Sequence, residues 1–570
     1  SDLGIFLPLC YLIFTIFLII LYRSKLGVIG PWIIISTSIT MMIGFLGYLG
    51  FKINSMSSAA PTILLTVAIA DSIHVLSSYY YSFKQGLSNY ESALYSLRKN
   101  FYPTLLTSIT TSIGFISFFG AKVQPVAELG ALVCAGVMVA WLNTYLFLGP
   151  VLISLKGVKK LDLFKIDIED KLNQTNPTFK IDLSRITPVI KLHSNKILIL
   201  STVLFLGGLF YATKLEVNMN PFEQFREEHP MVVNNNFVES HIGGTTNLEF
   251  MINTPPGTSV FEPEFVKKVE KFEQFLLGKD YVFSTTSLLD VLRNTHQKLN
   301  GGDESEYRLI YDREGLAQEY LFYTMGLPAG KELNNLISIG EDSFRLVARW
   351  NVHHSKDALI KKKELENYGK SLGLDLILTG KMPLFHDLTP YVVSTFFESF
   401  LLAFTLITVL LILILGSVRI GLMALIPNIF PLSLGAALIH LTGRDVNMTI
   451  SIIASVVIGI AVDDTIHFLF EYRRFERKGL GVEEILNKVF KQTGPALLYT
   501  TMMISSGFLV LWFGQYRPNR DFGLFVSLLL IFALYADFFI LPAIFWKFAQ
   551  RSRSKVVKYK ASTKKPTTVI

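Results

Sequence analysis

Charge is scarce in this sequence. Only 17% of its 570 residues are Asp, Glu, Lys or Arg, against 51% hydrophobic. That ratio excludes an ordinary soluble protein and puts the chain in the membrane class. Cysteine is scarcer still. The two present, Cys10 and Cys134, both fall inside apolar stretches, where neither a disulfide framework nor a thiolate metal site has support. There is no HExxH, and the polar middle of the chain shows no catalytic triad, Gly-rich phosphate loop or zinc ligand set. The reading is therefore a non-enzyme without cofactor or metal. The net charge of +8 does not indicate nucleic acid, because the basic residues sit beside apolar segments, as membrane insertion requires.

Those apolar segments are long. Windows able to cross a hydrocarbon core of roughly 30 Å occur at Gly4–Tyr22, Val28–Gly50, Ala59–Tyr81, Phe101–Gly120, Val126–Leu155 and Lys196–Thr213. They resume at Val393–Gly416, Ile420–Thr442, Thr449–Phe470, Pro495–Gly514 and Asp521–Trp546. Unpaired backbone is not tolerated in lipid, so each is expected to be a helix, about eleven in all. Threaded alternately, they place Arg23, Lys25, Lys84, Arg98, Lys99, Arg473, Arg474, Arg477, Lys478, Lys488 and Lys491 on one side. The tail 547–570, rich in Lys and Arg and without an acidic residue, falls there too. The positive-inside rule makes that side cytoplasmic and the 215–390 segment extracytoplasmic, in a multi-pass protein of the inner cell membrane. The 156–195 connection is then internal, with a short interfacial helix expected, and 196–214 is the span that opens the second half.

The chain repeats itself. Asp71-Ser72-Ile73-His74 returns as Asp464-Thr465-Ile466-His467, and the same offset carries Gly50 onto Gly443, Gly86 onto Gly479 and Gly130 onto Gly523. Pro103, Gly114 and Pro150 have near-matching counterparts in Pro495, Gly507 and Pro542. The five spans of 1–155 thus duplicate the five of 391–546 in parallel orientation. One extra span and the large outer domain precede the second copy only. The expectation is that the native gene carries a further span and outer domain ahead of Ser1; a complete chain with unequal halves is the alternative.

Between residues 215 and 390 the pattern turns to soluble α+β. Asn247–Asn253, Ser343–Asn351 and Leu374–Thr379 read as strands, Phe261–Leu277 and Lys356–Leu372 as helices, an order suggesting split βαβ units. Asn300–Asn335 gives no clear assignment, and His353 and His354 read as surface histidines.

Ionisable residues inside the spans carry the functional reading. Asp71, His74, Asp463, Asp464, His467 and Asp537 all lie well within apolar windows. A charge at the bilayer centre costs about 2.5–3.5 kcal/mol, so such residues face a bundle interior and mark an ion or proton path. Asp and His three or four residues apart share a helix face, so Asp71–His74, Asp463–His467 and Asp464–His467 can each hydrogen-bond and pass a proton. A polar network that only binds helices together is the competing reading. Asp537 has no acidic counterpart in the first half, where Asn143 and Thr144 lie nearest. Thr107, Ser108, Thr110, Thr111, Thr500 and Thr501 add hydroxyls on the following spans, as helix contacts or, secondarily, relay groups.

Gly459-Ile460-Ala461-Val462-Asp463-Asp464-Thr465-Ile466-His467, followed by Glu471-Tyr472-Arg473-Arg474, resembles a signature of the RND superfamily in its MMPL-like, hydrophobe/amphiphile exporter branch. Ala68-Ile69-Ala70-Asp71-Ser72-Ile73-His74 is a weaker twin, and Ala70 stands where the repeat has Asp463. Sterol-sensing proteins share the helix arrangement. The SecDF protein-export motor shares the architecture, although no stretch here resembles its signatures. The resemblance implies an α-helical polytopic fold with a porter-like outer domain and proton-driven export of lipids or other amphiphiles. Membrane lipids, the substrate and protons would be its partners, alone or with a second copy or a periplasmic protein. The alternative is a lipid-sensing or scaffold protein without transport.

Overall fold

The structure, a computed structural model, describes residues 3–50, 54, 56–154, 182–328 and 333–549. Residues 156–181 of the 156–195 connection, where an interfacial helix is expected, and the basic tail from 550 lie outside those residues; 182–195 holds the short turn Leu183–Arg185 and the start of a long helix. Two compact units emerge, one of Ser1–Glu216 with Val392–Ile570, the other of Val217–Tyr391.

The first repeat comprises α1 (Leu3–Tyr22), α2 (Lys25–Tyr48), α3 (Ala60–Lys84), α4 (Asn89–Ile116) and α5 (Gln124–Asn143). Helix α5 runs on through a π-helical turn, Thr144–Leu148, into Gly149–Ser154. The tight turns ahead of α2 and α4 are closed by side chains: Ser24 accepts the Gly27 amide at 3.0 Å, and Ser88 with Glu91 forms a capping box. Gly86 and its repeat Gly479 end α3 and its counterpart at φ of 91° and 78°, a conformation an L side chain resists. Helix α6 (Ile186–Ala212) begins ten residues before the span read from hydropathy, because its first turns are polar.

The second unit is α7 (Pro230–Ile242), β1 (Thr246–Asn253), α8 (Pro263–Leu277), β2 (Val282–Thr286), α9 (Leu288–Leu299) and α10 (Arg313–Met325), then β3 (Ser343–Trp350), α11 (Ser355–Ser371), β4 (Asp375–Thr379) and α12 (Lys381–Asp387). The strands lie in the order β2-β3-β1-β4, every pair antiparallel. So β1 and β2, joined through α8, have β3 inserted between them, the split βαβ arrangement. Alternation places Leu248, Phe250 and Ile252 of β1 beside Phe344, Leu346 and Trp350 of β3 in one core with Phe272 and Leu276 of α8. The unassigned 300–335 stretch contains α10, while α7, α9 and β2 were not read from sequence. His353 is bonded to Glu239 at 2.7 Å.

The second repeat is α13 (Thr389–Leu415), α14 (Val418–Leu441), α15 (Met448–Glu476), a short amphipathic α16 (Val482–Gln492), α17 (Gly494–Leu509) and α18 (Arg517–Tyr535). Helix α18 also continues through a π-helical turn, Ala536–Ile540, at the place matching that of α5. Among the described residues ten helices are long and apolar enough to cross a membrane. The eleventh expected span lies in α4, which packs against α3, α5 and α15 and buries a polar face including Asn100, Thr107, Ser108 and Thr111, so it has less need of an apolar surface.

Burial is uneven. Inside the bundle lie 89% of the α3 window and 94% of the α15 window, against 28% for α1 and 11% for α6. The repeats interlock at this centre: α4 crosses α15 and α17 crosses α3. A side-chain carbon on Gly459 would stand 3.1 Å from Gly114 Cα and 3.2 Å from the Thr110 carbonyl, so only glycine allows that crossing. The duplication holds at atomic detail. Ser112 donates to the Cys134 carbonyl at 3.4 Å, and Ser505, its repeat, to the Ser527 carbonyl at 3.2 Å.

Gly459→Leu should therefore force α4 from α15 and cost about 1–3 kcal/mol, a drop of several degrees in melting temperature in detergent. Gly44→Ala, with no atom within 4 Å of the added carbon, should melt at or slightly above wild type. Equal melting of the two variants would contradict the close crossing.

Candidate functional site

Because α3 and α15 are the sheltered helices, they can hold ionisable side chains at depth. Asp71, His74, Asp463, Asp464, His467 and Asp537 are each at most 9% exposed. The structure gathers them around α3 and α15, and of the pairs that spacing suggested only Asp463–His467 stays close, at 3.4 Å. Asp71 accepts a hydrogen bond from Ser108 of α4 at 3.2 Å, and Asp464 accepts one from Thr501 of α17 at 2.5 Å. The offset that carries Asp71 onto Asp464 carries Ser108 onto Thr501, so one acid–hydroxyl unit is built twice. Asp71–His74 and Asp464–His467 hydrogen bonds do not appear, because both carboxyls turn outward to the neighbouring helix.

The two imidazoles instead meet each other. The rings of His74 and His467 stack with centroids 3.8 Å apart and planes 8° from parallel, which sets the local repeat axis between them. Asp463 Oδ1 approaches His467 Nε2 at 3.4 Å, short of hydrogen-bond alignment. Asp463 Oδ1, His467 Nε2 and His74 Nε2 are buried without a hydrogen-bond partner. Beside them Asp463, Asp71, Thr107 and Thr111 line a cleft whose opposite wall includes Ala70 and Val137. The missing carboxyl at Ala70 leaves this space, which has room for about one water.

The other hydroxyls divide cleanly. Thr107, Thr110 and Thr500 are bonded to carbonyls of their own helices, whereas Thr111 bonds to the Gly459 carbonyl at 3.2 Å and so joins α4 to α15. Asp537, in the π-helical turn, accepts from Thr465 at 2.7 Å, and Asn428 of α14 donates to Thr465 at 3.2 Å. This Asn428–Thr465–Asp537 chain exists in the second half only; Ile35, Ser72 and Thr144 hold the matching positions.

Two acidic features escaped the sequence reading. Glu128 and Asp521 are related by the repeat offset and lie buried at the start of α5 and α18. Glu128 takes hydrogen bonds from Asn54 and Gln124, both at 2.7 Å, while Asp521 faces Arg444 at 3.9 Å and Arg517 at 4.0 Å. The offset that pairs Gly130 with Gly523 would have found them. The second feature is an ion pair at 3.4 Å between Lys99 and Glu471.

As a metal centre, His74, Asp463 and His467 are close enough, with ligand atoms within 4.8 Å of one another. Parallel stacked rings, however, aim their in-plane nitrogen lone pairs side by side, whereas a tetrahedral ion needs them convergent. What the cluster can do as arranged is share protons among carboxyls and imidazoles out of contact with lipid.

A two-repeat helical bundle with ionisable residues buried at its centre defines the class: a polytopic membrane-protein fold. The comparisons agree. Residues 354–565 match the family model of the MMPL family. A membrane protein of Methanocaldococcus jannaschii is 20% identical over 338 residues, which is 56% of this chain and 81% of that relative. The crystal structure of SecDF in its super-membrane-facing form superposes with a TM-score of 0.56 at 13% identity, covering 98% of this chain and 62% of SecDF. SecDF from Thermus thermophilus, described as a translocon-associated membrane protein, gives 0.55 at 13%, covering 95% and 61%. The chain thus spans less than two thirds of either SecDF chain, and the likeness is one of fold. The family match bears out, over residues 354–565, the resemblance to the MMPL branch read from the sequence, and the structural likeness bears out the polytopic fold.

The unequal halves make a direct test. Thr465→Val should strand the Asp537 carboxyl and leave Asn428 Nδ2 with the Ala424 carbonyl as its partner, costing about 1–2 kcal/mol. Ser72→Ala, removing a buried hydroxyl that has no partner, should be neutral or mildly stabilising. Thermal unfolding in detergent reads both.

Proposed function

We propose that this protein uses the proton-motive force to move lipids or other amphiphilic molecules out of the membrane, with Asp71 and Asp464 as the principal carriers. The observation that carries the reading is the duplicated acid–hydroxyl pair, Asp71–Ser108 and Asp464–Thr501, flanking the stacked imidazoles. One charge crossing the membrane potential is worth about 2.3 kcal/mol per 100 mV, and a carrier harvests it only by changing protonation between states. Asp463, sharing a cleft with Asp71 and facing His467, supplies the link between halves that Ala70 lacks. Asp537 tunes the second half through Thr465. The α/β unit would work outside the cytoplasm on the substrate, and the chain would reside in the inner cell membrane, alone, as a homo-oligomer or with a periplasmic partner.

Reconstituted vesicles test the coupling. A fluorescent phospholipid added to the membrane should be moved in response to an imposed pH gradient, and Asp464→Asn or Asp71→Asn should slow that movement tenfold or more at unchanged melting temperature. If both variants kept full proton-driven movement, the carboxyls would be structural and a lipid-sensing role would take precedence. Orientation is tested separately by an impermeant thiol reagent on intact cells. It should label Gly301→Cys and spare Ser562→Cys; the reverse pattern would invert the topology.

A further inference from the structure

Helix α15 carries Asp463, His467 and Glu471 four residues apart, so the three share one face. At the end of that line, Glu471 Oε1 lies 3.4 Å from Lys99 Nζ, which comes from α4 of the other repeat. Both are sheltered, with side chains 8% and 16% exposed. A second cation, Arg474, holds the same carboxylate at 3.2 and 3.3 Å from α15 itself. The pair has no twin, since the repeat offset places Gln492 and Ser78 at the matching positions. Ser78 is instead bonded to Asn100 at 3.4 Å. This is thus a single charged clamp between the halves, on the side of the membrane to which the basic loops belong.

Lys99 also acts electrostatically on both His74 and His467. The charged groups nearest the imidazole pair are therefore Asp463 from α15, 3.4 Å from His467, and Lys99 from α4, while Asp71, one turn away on α3, turns its carboxyl to Ser108. Tyr95 of α4 acts on Arg474. Like charges repel strongly where water is scarce, so a proton on the imidazole stack and the Lys99 ammonium disfavour one another. Arg474 makes the outcome asymmetric. If Lys99 withdraws, Glu471 keeps a cation and is not left buried and unpaired, the event that makes breaking most buried pairs costly.

We propose that Lys99 and Glu471 form a latch between the two repeats, closed while the His74–His467 stack is neutral and opened when it takes up a proton. The latch converts protonation into separation of α4 from α15 at their cytoplasmic ends. Lys99 and Glu471 are positioning residues; the proton itself resides on the imidazoles and aspartates. This rests on the proton-driven reading for its purpose, though not for its test.

The experiment places spin labels at the exposed positions Arg98→Cys and Lys478→Cys, in full-length protein carrying Cys10→Ala and Cys134→Ala, in nanodiscs. Electron–electron double resonance at pH 8 should give one distance population, and pH 5 should enrich a second at least threefold. Lys99→Gln should show the second population at both pH values. His74→Gln with His467→Gln should hold the first at both. The charge swap, Lys99→Glu with Glu471→Lys, keeps an ion pair but reverses which helix carries the cation, so its pH response should vanish or invert. Distances that ignore pH in the unlatched and native chains alike would overturn the latch, as would a swapped pair that responds like wild type. Should Lys99→Gln fail to fold, the histidine variants and the swap decide alone. If distances respond as described while vesicles show no proton-coupled movement, the latch stands and the transport reading falls. If movement is proton-coupled while the distances ignore pH, transport stands and the latch falls.

Discussion

Hydrocarbon does not solvate charge, and the placement of every helix in the membrane unit follows from that constraint. Ionisable groups at depth are tolerated only on helices screened from lipid, and α3 and α15, which carry five of the six, are the two most enclosed. The remaining spans form the screen. Their lipid-facing residues, such as Leu12, Ile199 and Leu401, are large, apolar and exposed, as a sheath requires. Glycines at the α4–α15 crossing bring the backbones close enough for Thr111 to reach the Gly459 carbonyl, while Ser108 of α4 reaches Asp71 of α3 and Thr501 of α17 reaches Asp464 of α15. Packing and polarity thus work together, since the helices packed on α3 and α15 carry the hydroxyls bonded to their acids.

Duplication supplies geometry, and departures from duplication supply direction. Equivalent acids find equivalent hydroxyls, and equivalent histidines stack on the axis between the halves. Against that background the second half alone has Asp463, the Asn428–Thr465–Asp537 chain and Glu471. Two identical carriers facing each other across an axis would have no preferred order of loading. Ala70 stands where the second repeat has Asp463, and both residues line one cleft together with Asp71. In the transport reading proposed above, a proton passing between the halves would therefore meet different surroundings on each side.

The sequence made some of this visible and hid the rest for identifiable reasons. Long apolar windows and the repeated Asp-Ser/Thr-Ile-His set are local patterns, and the helices and buried acids read from them sit where expected. Partner choice was not local. Asp71 and His74 share a helix face, yet the carboxyl turns to Ser108, thirty-seven residues on, because α4 crosses there. The histidine pairing joins residues from opposite halves and leaves no mark in either segment. Helix α4 itself is diluted by polar residues that are buried against α3, α5 and α15, so hydropathy understates it. In the soluble unit, β1 and β3 alternate cleanly and were legible. β2 has only five residues and an irregular pairing with β3, and α10 lies in a polar stretch, so neither carried a usable period.

The stacked imidazoles also limit how the site can be described. His74, His467 and Asp463 have ligand atoms within 4.8 Å of one another, and Asp71 shares a one-water cleft with Asp463. Groups this close do not titrate one at a time; a proton added to one changes the affinity of all, and the observable steps belong to the cluster. An imidazole stack with both Nε2 atoms unbonded has a further property: protonating one ring discourages protonating the other, since two cations would lie in van der Waals contact. Protonation of one imidazole thus opposes protonation of its stacked partner, although the duplicated sequence offers two sites. In the transport reading proposed above, that mutual exclusion between equivalent residues of the two repeats is what would make the halves take up a proton in turn.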